Sequence, residues 1–168
     1  MRSITYIAVV IMGAFIFSSC EKNDYPVGLP QYEHHYYAAY IPNTNNQVSV
    51  TRNSGLVKLP VQFYSSFTRD YDAVAYYAVV TTGITNPAVL GQDFNIVDKD
   101  GNVLTPVDGK YSITFPQAKY KMDTIYVKLL NSSVAGTRKM EVQIQENKTS
   151  QFYVDIFSTA FRRPVEIK

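Results

Sequence analysis

The chain has 168 residues, with 16 Lys and Arg against 14 Asp and Glu and a formal net charge of +2. This near balance, with no basic run, leaves no electrostatic footprint for nucleic acid and excludes DNA and RNA as partners. The single cysteine, Cys20, excludes a framework of internal disulfides.

Arg2 is followed by an apolar stretch from Ile4 to Phe17, broken only by Thr5 and Gly13, that ends on Ser18-Ser19-Cys20. A charged start, a short apolar run and small residues at its end have the layout of a secretory signal peptide, and the run falls short of the roughly 20 apolar residues of a membrane span. Residues 1–19 are therefore expected to be cleaved. Phe17-Ser18-Ser19-Cys20 resembles the bacterial lipobox, which implies a mature chain that begins at an acylated Cys20. Each buried CH₂ contributes about 0.8 kcal/mol, so three acyl chains would hold the protein on its membrane almost permanently. Residues 20–34, with Pro26, Gly28 and Pro30 among polar residues and no periodicity, read as an extended tether. Residues 35–168 are one domain's worth of chain.

From there on, period-2 segments recur between turn residues and no helical period appears, so the domain is predicted to be all-β. Tyr36 to Ile41 and Gln47 to Arg52 are the first strands. In Leu56 to Tyr64, Val57, Leu59, Val61 and Phe63 share one face, and Pro60 predicts an edge position or a bulge. Ala73 to Thr81 is apolar on both faces, as in a central strand covered on two sides. Phe94 to Val97 and Val103 to Leu104 flank Asp100-Gly101, the clearest hairpin turn in the chain. Lys110 to Phe115, Met122 to Leu130, Lys139 to Gln145, Gln151 to Phe157 and Phe161 to Ile167 complete the series. Roughly eight to ten short strands at this spacing fit a two-sheet antiparallel sandwich.

Chemistry is sparse. His34-His35 are adjacent on extended chain and point to opposite faces, so no metal site is expected, and no cofactor motif is present. A Ser-His-Asp triad would have to draw its base from the tether, and no Gly-x-Ser-x-Gly turn exposes a serine. Asp98 to Asn102 is a hairpin rather than a calcium loop, because its glycine comes too early. Asp70, Asp72 and Asp93 are not expected to form a glycosidase pair. The chain is thus expected not to be an enzyme. Its fourteen tyrosines and nine phenylalanines, without tryptophan, are the notable feature. Tyr36, Tyr37 and Tyr40, and Tyr76 and Tyr77 with Tyr71, place rings on both faces of a strand, so one of each adjacent pair should point outward and contact a partner or ligand. The Tyr36 to Tyr40 strand, taken as a sheet edge, is the expected meeting point.

Gly91-Gln92-Asp93-Phe94, with the following hairpin, Tyr111 to Phe115 and Ile125 to Leu129, resembles the Gly-x-Asp-aromatic motif and strands of Calx-beta-like domains, which implies an immunoglobulin-like sandwich. The clustered acidic loops with which that family binds calcium are not seen. The lipobox, followed by Glu21 and Asp24, a Tyr-Pro spacer and one β-domain, is similar to surface lipoproteins of Bacteroidetes, many of which accompany SusC/SusD-type importers. That resemblance implies an outer-membrane lipoprotein, exported to the cell exterior with Glu21 and Asp24 as signal. Its partners would be transporter subunits and an oligosaccharide or peptide ligand. Asp123-Thr124-Ile125 matches the sequence at which these bacteria O-glycosylate exported proteins, at Thr124. The alternative is a fimbrial or adhesin subunit, whose maturation would remove an N-terminal stretch; Arg52, the early arginine, is expected inside a strand.

Overall fold

The computed structural model describes residues 33–168; the expected signal peptide, Cys20, Glu21, Asp24 and nearly all of the expected tether lie outside them. Eleven strands follow one another: β1 His35–Tyr40, β2 Val48–Val50, β3 Leu56–Tyr64, β4 Ala73–Val80, β5 Phe94–Val97, β6 Tyr111–Phe115, β7 Lys121–Leu129, β8 Arg138–Gln145, β9 Asn147–Lys148, β10 Tyr153–Ile156 and β11 Arg162–Ile167. They form two sheets in the orders β5-β7-β3-β1-β10-β9 and β2-β11-β8-β4-β6, here sheet A and sheet B. The protein is a two-sheet, immunoglobulin-like β-sandwich.

Alternation builds the core. Val57, Leu59, Val61 and Phe63 of β3 and Ile125, Val127 and Leu129 of β7 face Tyr111, Ile113 and Phe115 of β6 and Met140, Val142 and Ile144 of β8, all buried. Phe63 stacks on Phe115 at 4.4 Å between ring centroids, joining sheet A to sheet B. Burying such side chains contributes roughly 1.5–3 kcal/mol each, which makes a one-residue slip of any of these strands prohibitive.

Two pairings are parallel where an antiparallel sandwich was expected: β1 runs beside β10, and β2 beside β11. The first two strands belong to different sheets and each adds to a C-terminal strand. As a result β1 is not an edge; it lies between β3 and β10. β3 is also interior, against the expectation from Pro60. The proline fits because β1 ends at Tyr40. Its carbonyl accepts the Ile41 amide at 3.0 Å, so its nitrogen faces the same side, where the chain is already turning away at Pro42. β4 is central as expected, between β8 and β6, but its second face is only half covered at Val74 and Tyr76.

The Asp100-Gly101 hairpin forms. Asp98 N–H donates to the Asn102 carbonyl at 2.9 Å, Val97 bridges Val103, and Gly101 takes φ +90°. The side chain of Asn102 and the amides of Asn102 and Asp100 all donate to the Asp98 carboxylate, holding its pKa below the usual carboxylate range. The Gly-x-Asp-aromatic motif has an equally local purpose. Asp93, buried, accepts the Val89 amide at 2.8 Å while its own amide donates to the Val89 carbonyl, closing the loop that feeds β5. Asp93→Ala orphans that amide, and its expected cost is about 1–3 kcal/mol, read as a lower denaturant midpoint at unchanged m value.

Candidate functional site: an aromatic ridge on one outer face

The two outer faces of the sandwich differ. On sheet B, charged side chains pair among themselves: Glu166 reaches Lys139 at 3.5 Å and Lys168 at 3.2 Å, and Arg162 reaches Glu141 at 3.5 Å. Those hydrogen-bonded lysines and Ser49 hold the Glu166 carboxyl low, Lys168 most strongly. This is a solvated face.

Sheet A instead carries rings. In-register pairing places His35 beside Tyr153 and Tyr37 beside Asp155 on the outer side of β1 and β10. His35 stacks between Tyr153 at 4.7 Å and Tyr37 at 5.0 Å, and its Nε2 meets Asp155 Oδ2 at 3.0 Å. Tyr37 meets Phe157 edge-on at 5.2 Å; Phe157 lies 6.0 Å from Tyr64, and Tyr64 lies 6.1 Å from Tyr120. Lys148 caps the far end, 5.7 Å above the Tyr153 ring. The result is a continuous ridge, Tyr153-His35-Tyr37-Phe157-Tyr64-Tyr120, drawn from β10, β1, β3 and two loops. Beneath it Ala39 and Gln62, opposite one another in register, are buried although they belong to the outer face. Phe157 is 41% exposed and Tyr120 57%.

The ring geometry limits what this ridge can do. His35 has a ring on either side, Tyr153 stacks on His35 and carries Lys148, and Tyr37 stacks on His35 and meets Phe157 edge-on, so these three offer mainly edges and hydroxyls. A sugar needs an open ring face, whereas a protein surface can pack against ring edges and bond to hydroxyls.

The predicted tyrosines divide accordingly. Tyr37 and Tyr76 point outward, while Tyr36 and Tyr77 are buried, so the expectation of one outward ring per adjacent pair holds. Tyr36, Tyr40 and Tyr77 are thereby corrected as contact residues: alternation turns all three inward. Tyr40 is fully buried and donates its hydroxyl to the Val142 carbonyl of sheet B at 3.0 Å. Tyr36 and His34 both bond to the Tyr71 hydroxyl at 2.6 Å, closing one end of the core. Tyr153, Tyr64, Tyr120 and Phe157 were missed. Alternation from buried Val154 marks Tyr153, but only the tertiary fold brings the other rings to it.

The remaining candidates have structural roles or none. His34 and His35 turn to different partners, Tyr71 and Asp155. Asp72 accepts the Gln117 amide at 2.9 Å, and Asp70 is exposed. Thr124 is half-exposed on β7, opposite Pro60. Arg52 lies in a turn after β2, not in a strand, and donates to the carbonyls of Ser132, Val134 and Gly136. Among the described residues no helix is long and apolar enough to cross a membrane.

The buried hydroxyls set a pH limit. Burial raises the pKa of Tyr40, Tyr71, Tyr77 and Tyr111, and a hydrogen bond to Glu146 is the main cause at Tyr153. A phenol raised on folding contributes stability that is complete below about pH 10 and lost as pH climbs through the folded value. Absorbance titration of tyrosinate is therefore expected to be biphasic, its late phase coinciding with loss of β-structure by circular dichroism. A single early phase with native structure intact would contradict this.

A sandwich with one paired, polar outer face and one aromatic outer face is the class this geometry defines. No protein-family model matches the chain, and no curated protein matches it. Among solved structures it is similar to the apo form of the Calx CBD1 domain, at 13% identity over 79% of this chain and 97% of that one, with a TM-score of 0.51. It is also similar to CBD12 from CALX1.2, at 15% identity over 78% of this chain with a TM-score of 0.53, and to the calcium binding domain CBD12 of CALX1.1, at 15% over 79% with a TM-score of 0.50. The chain spans 44% and 43% of those two. At such identities the likeness is one of fold, and the fold is Calx-beta-like. Calcium belongs to the neighbour so described; among the described residues no three His, Cys, Asp or Glu side chains gather around one point.

Proposed function

We propose that the protein is a non-enzymatic lipoprotein, anchored through Cys20 to the outer membrane and facing the cell exterior, that works as an accessory or ligand-binding subunit of a SusC/SusD-type importer of oligosaccharides or peptides. The observation that carries the reading is the aromatic ridge on sheet A. A continuous strip of partly exposed rings is costly to leave in water and suits a protein partner. It starts at His35, at the head of the first strand after the tether, so a subunit tethered to the membrane would present it to membrane neighbours. The lipobox resemblance and the Calx-beta-like fold, one neighbour of which is described as a calcium binding domain, support the same reading.

The fimbrial alternative requires removal of the N-terminal strands. β1 fills the middle of sheet A, so its loss would open a groove, but the Arg52 side chain ties the turn after β2 to the 132–136 loop, which favours an intact chain. Detergent extraction and affinity purification of the full chain separate the two readings. A large barrel-forming protein with its lid lipoprotein is the expected companion; a solitary monomer would overturn the importer reading, and SDS-resistant ladders would favour the fimbrial one.

A further inference from the structure

On the opposite sheet a second feature stands apart from the ridge. Val107 N–H donates to the Lys110 carbonyl and Lys110 N–H to the Val107 carbonyl, each at 2.9 Å, around Asp108 and Gly109 with φ of +48° and +74°. Two left-handed central residues make a tight type I′ hairpin, which projects from the start of edge strand β6. Between this hairpin and the outer face of β4 and β6 lies an open cleft of about 540 Å³, within the roughly 300–1,000 Å³ of small-molecule sites.

Its walls alternate in chemistry. Across the β4–β6 pair Tyr76 stands opposite Ser112 and Val74 opposite Thr114, so two apolar groups lie side by side with two exposed hydroxyls. Among the described residues neither hydroxyl has a protein hydrogen-bond partner. Asp108 and Lys110 at the mouth supply one acceptor and one donor, and the Lys110 ammonium lies 5.6 Å over the Tyr76 ring. One lysine beside one carboxylate makes no phosphate site, and a single carboxylate makes no cation site.

We propose that this cleft binds one pyranose unit of a neutral oligosaccharide, stacked on Tyr76 with its hydroxyls shared among Ser112, Thr114, Asp108 and Lys110. Pyranoses have an apolar face and a rim of hydroxyls, the complement of this lining. The lysine over the Tyr76 ring is flexible and exposed, so the sugar displaces it and then bonds to it. The proposal does not rest on the ridge or its partner.

The test is titration of the full chain in detergent, with ¹³C-labelled tyrosine rings, against maltohexaose, cellohexaose, xylohexaose and mannohexaose at millimolar concentration. At least one is expected to shift the Tyr76 resonances, with affinity falling at least about tenfold in Tyr76→Ala and retained within about threefold in Tyr76→Phe. Ser112→Trp, an exposed edge-strand change that fills the cleft, should abolish the shift even if Tyr76→Ala misfolds. No response to any of the four sugars overturns the proposal. So does binding that survives Ser112→Trp, or that is indifferent to Ser112→Ala/Thr114→Val.

Discussion

Replacing Arg163 by alanine is expected to lower the stability of the sandwich by about 2–4 kcal/mol and its melting temperature by about 5–15 °C. Arg163 faces inward from β11 and is 4% exposed. Its guanidinium donates to the carbonyls of Pro42 at 3.0 Å and Asn46 at 3.2 Å, and lies 4.9 Å over the Tyr40 ring. Burial pulls its pKa below the usual arginine value, while neighbouring Tyr40 raises it, and the group stays charged. The side chain thus ties the loop between β1 and β2 to β11, at the point where the first two strands part into different sheets. Alanine removes these bonds and leaves a cavity against Tyr40. Arg163→Met fills the volume without a buried charge, so it should cost less, whereas Arg163→Lys keeps a charge but loses the fork. Thermal melts that rank alanine no worse than methionine would contradict this account.

The second large effect concerns the ridge. Tyr37→Ala together with Phe157→Ala is expected to weaken association with the proposed transporter partner by about thirtyfold or more, with little change in melting temperature. Aromatic groups at a desolvated centre typically cost about 2 kcal/mol or more when truncated, which is about thirtyfold in affinity. These two rings are the middle of the strip, and both are on the outer side of sheet A, clear of the core. Changes at Asp100 or Gly101, in a solvated turn, should leave the affinity unchanged. Equal losses from hairpin and ridge variants would mean that the partner surface lies elsewhere.

Much of this architecture is legible from local pattern. Alternation in β3, β6, β7 and β8 marks the buried apolar residues that face the other sheet, and Asp100-Gly101 marks its own turn, because both signals depend only on neighbours in sequence. What escapes is set at long range. Pro60 argues for an edge only until it is known that β1 stops at Tyr40. The parallel β1–β10 and β2–β11 pairings join residues more than a hundred positions apart, and no local preference encodes them. Tyr40 shows the same limit: its place in the strand is readable, but its bond to Val142 across the sandwich is not. Asp108-Gly109 is a different kind of miss, a turn signal as plain as Asp100-Gly101 yet closed by only one bridge, Val107 to Lys110, ahead of β6. The ridge gathers Phe157 and Tyr120 from loops, where no periodicity exists to read.

The most direct measurement of the central claim is site-specific photo-crosslinking in living cells, with a benzophenone side chain at position 37, 157 or 143. The first two lie on the aromatic face of sheet A and the third, in place of Gln143, lies on β8 of the charged face of sheet B. Positions 37 and 157 are expected to capture the same large outer-membrane protein, and position 143 none. Capture from position 143 alone, or no capture from the ridge in intact membranes, would contradict it.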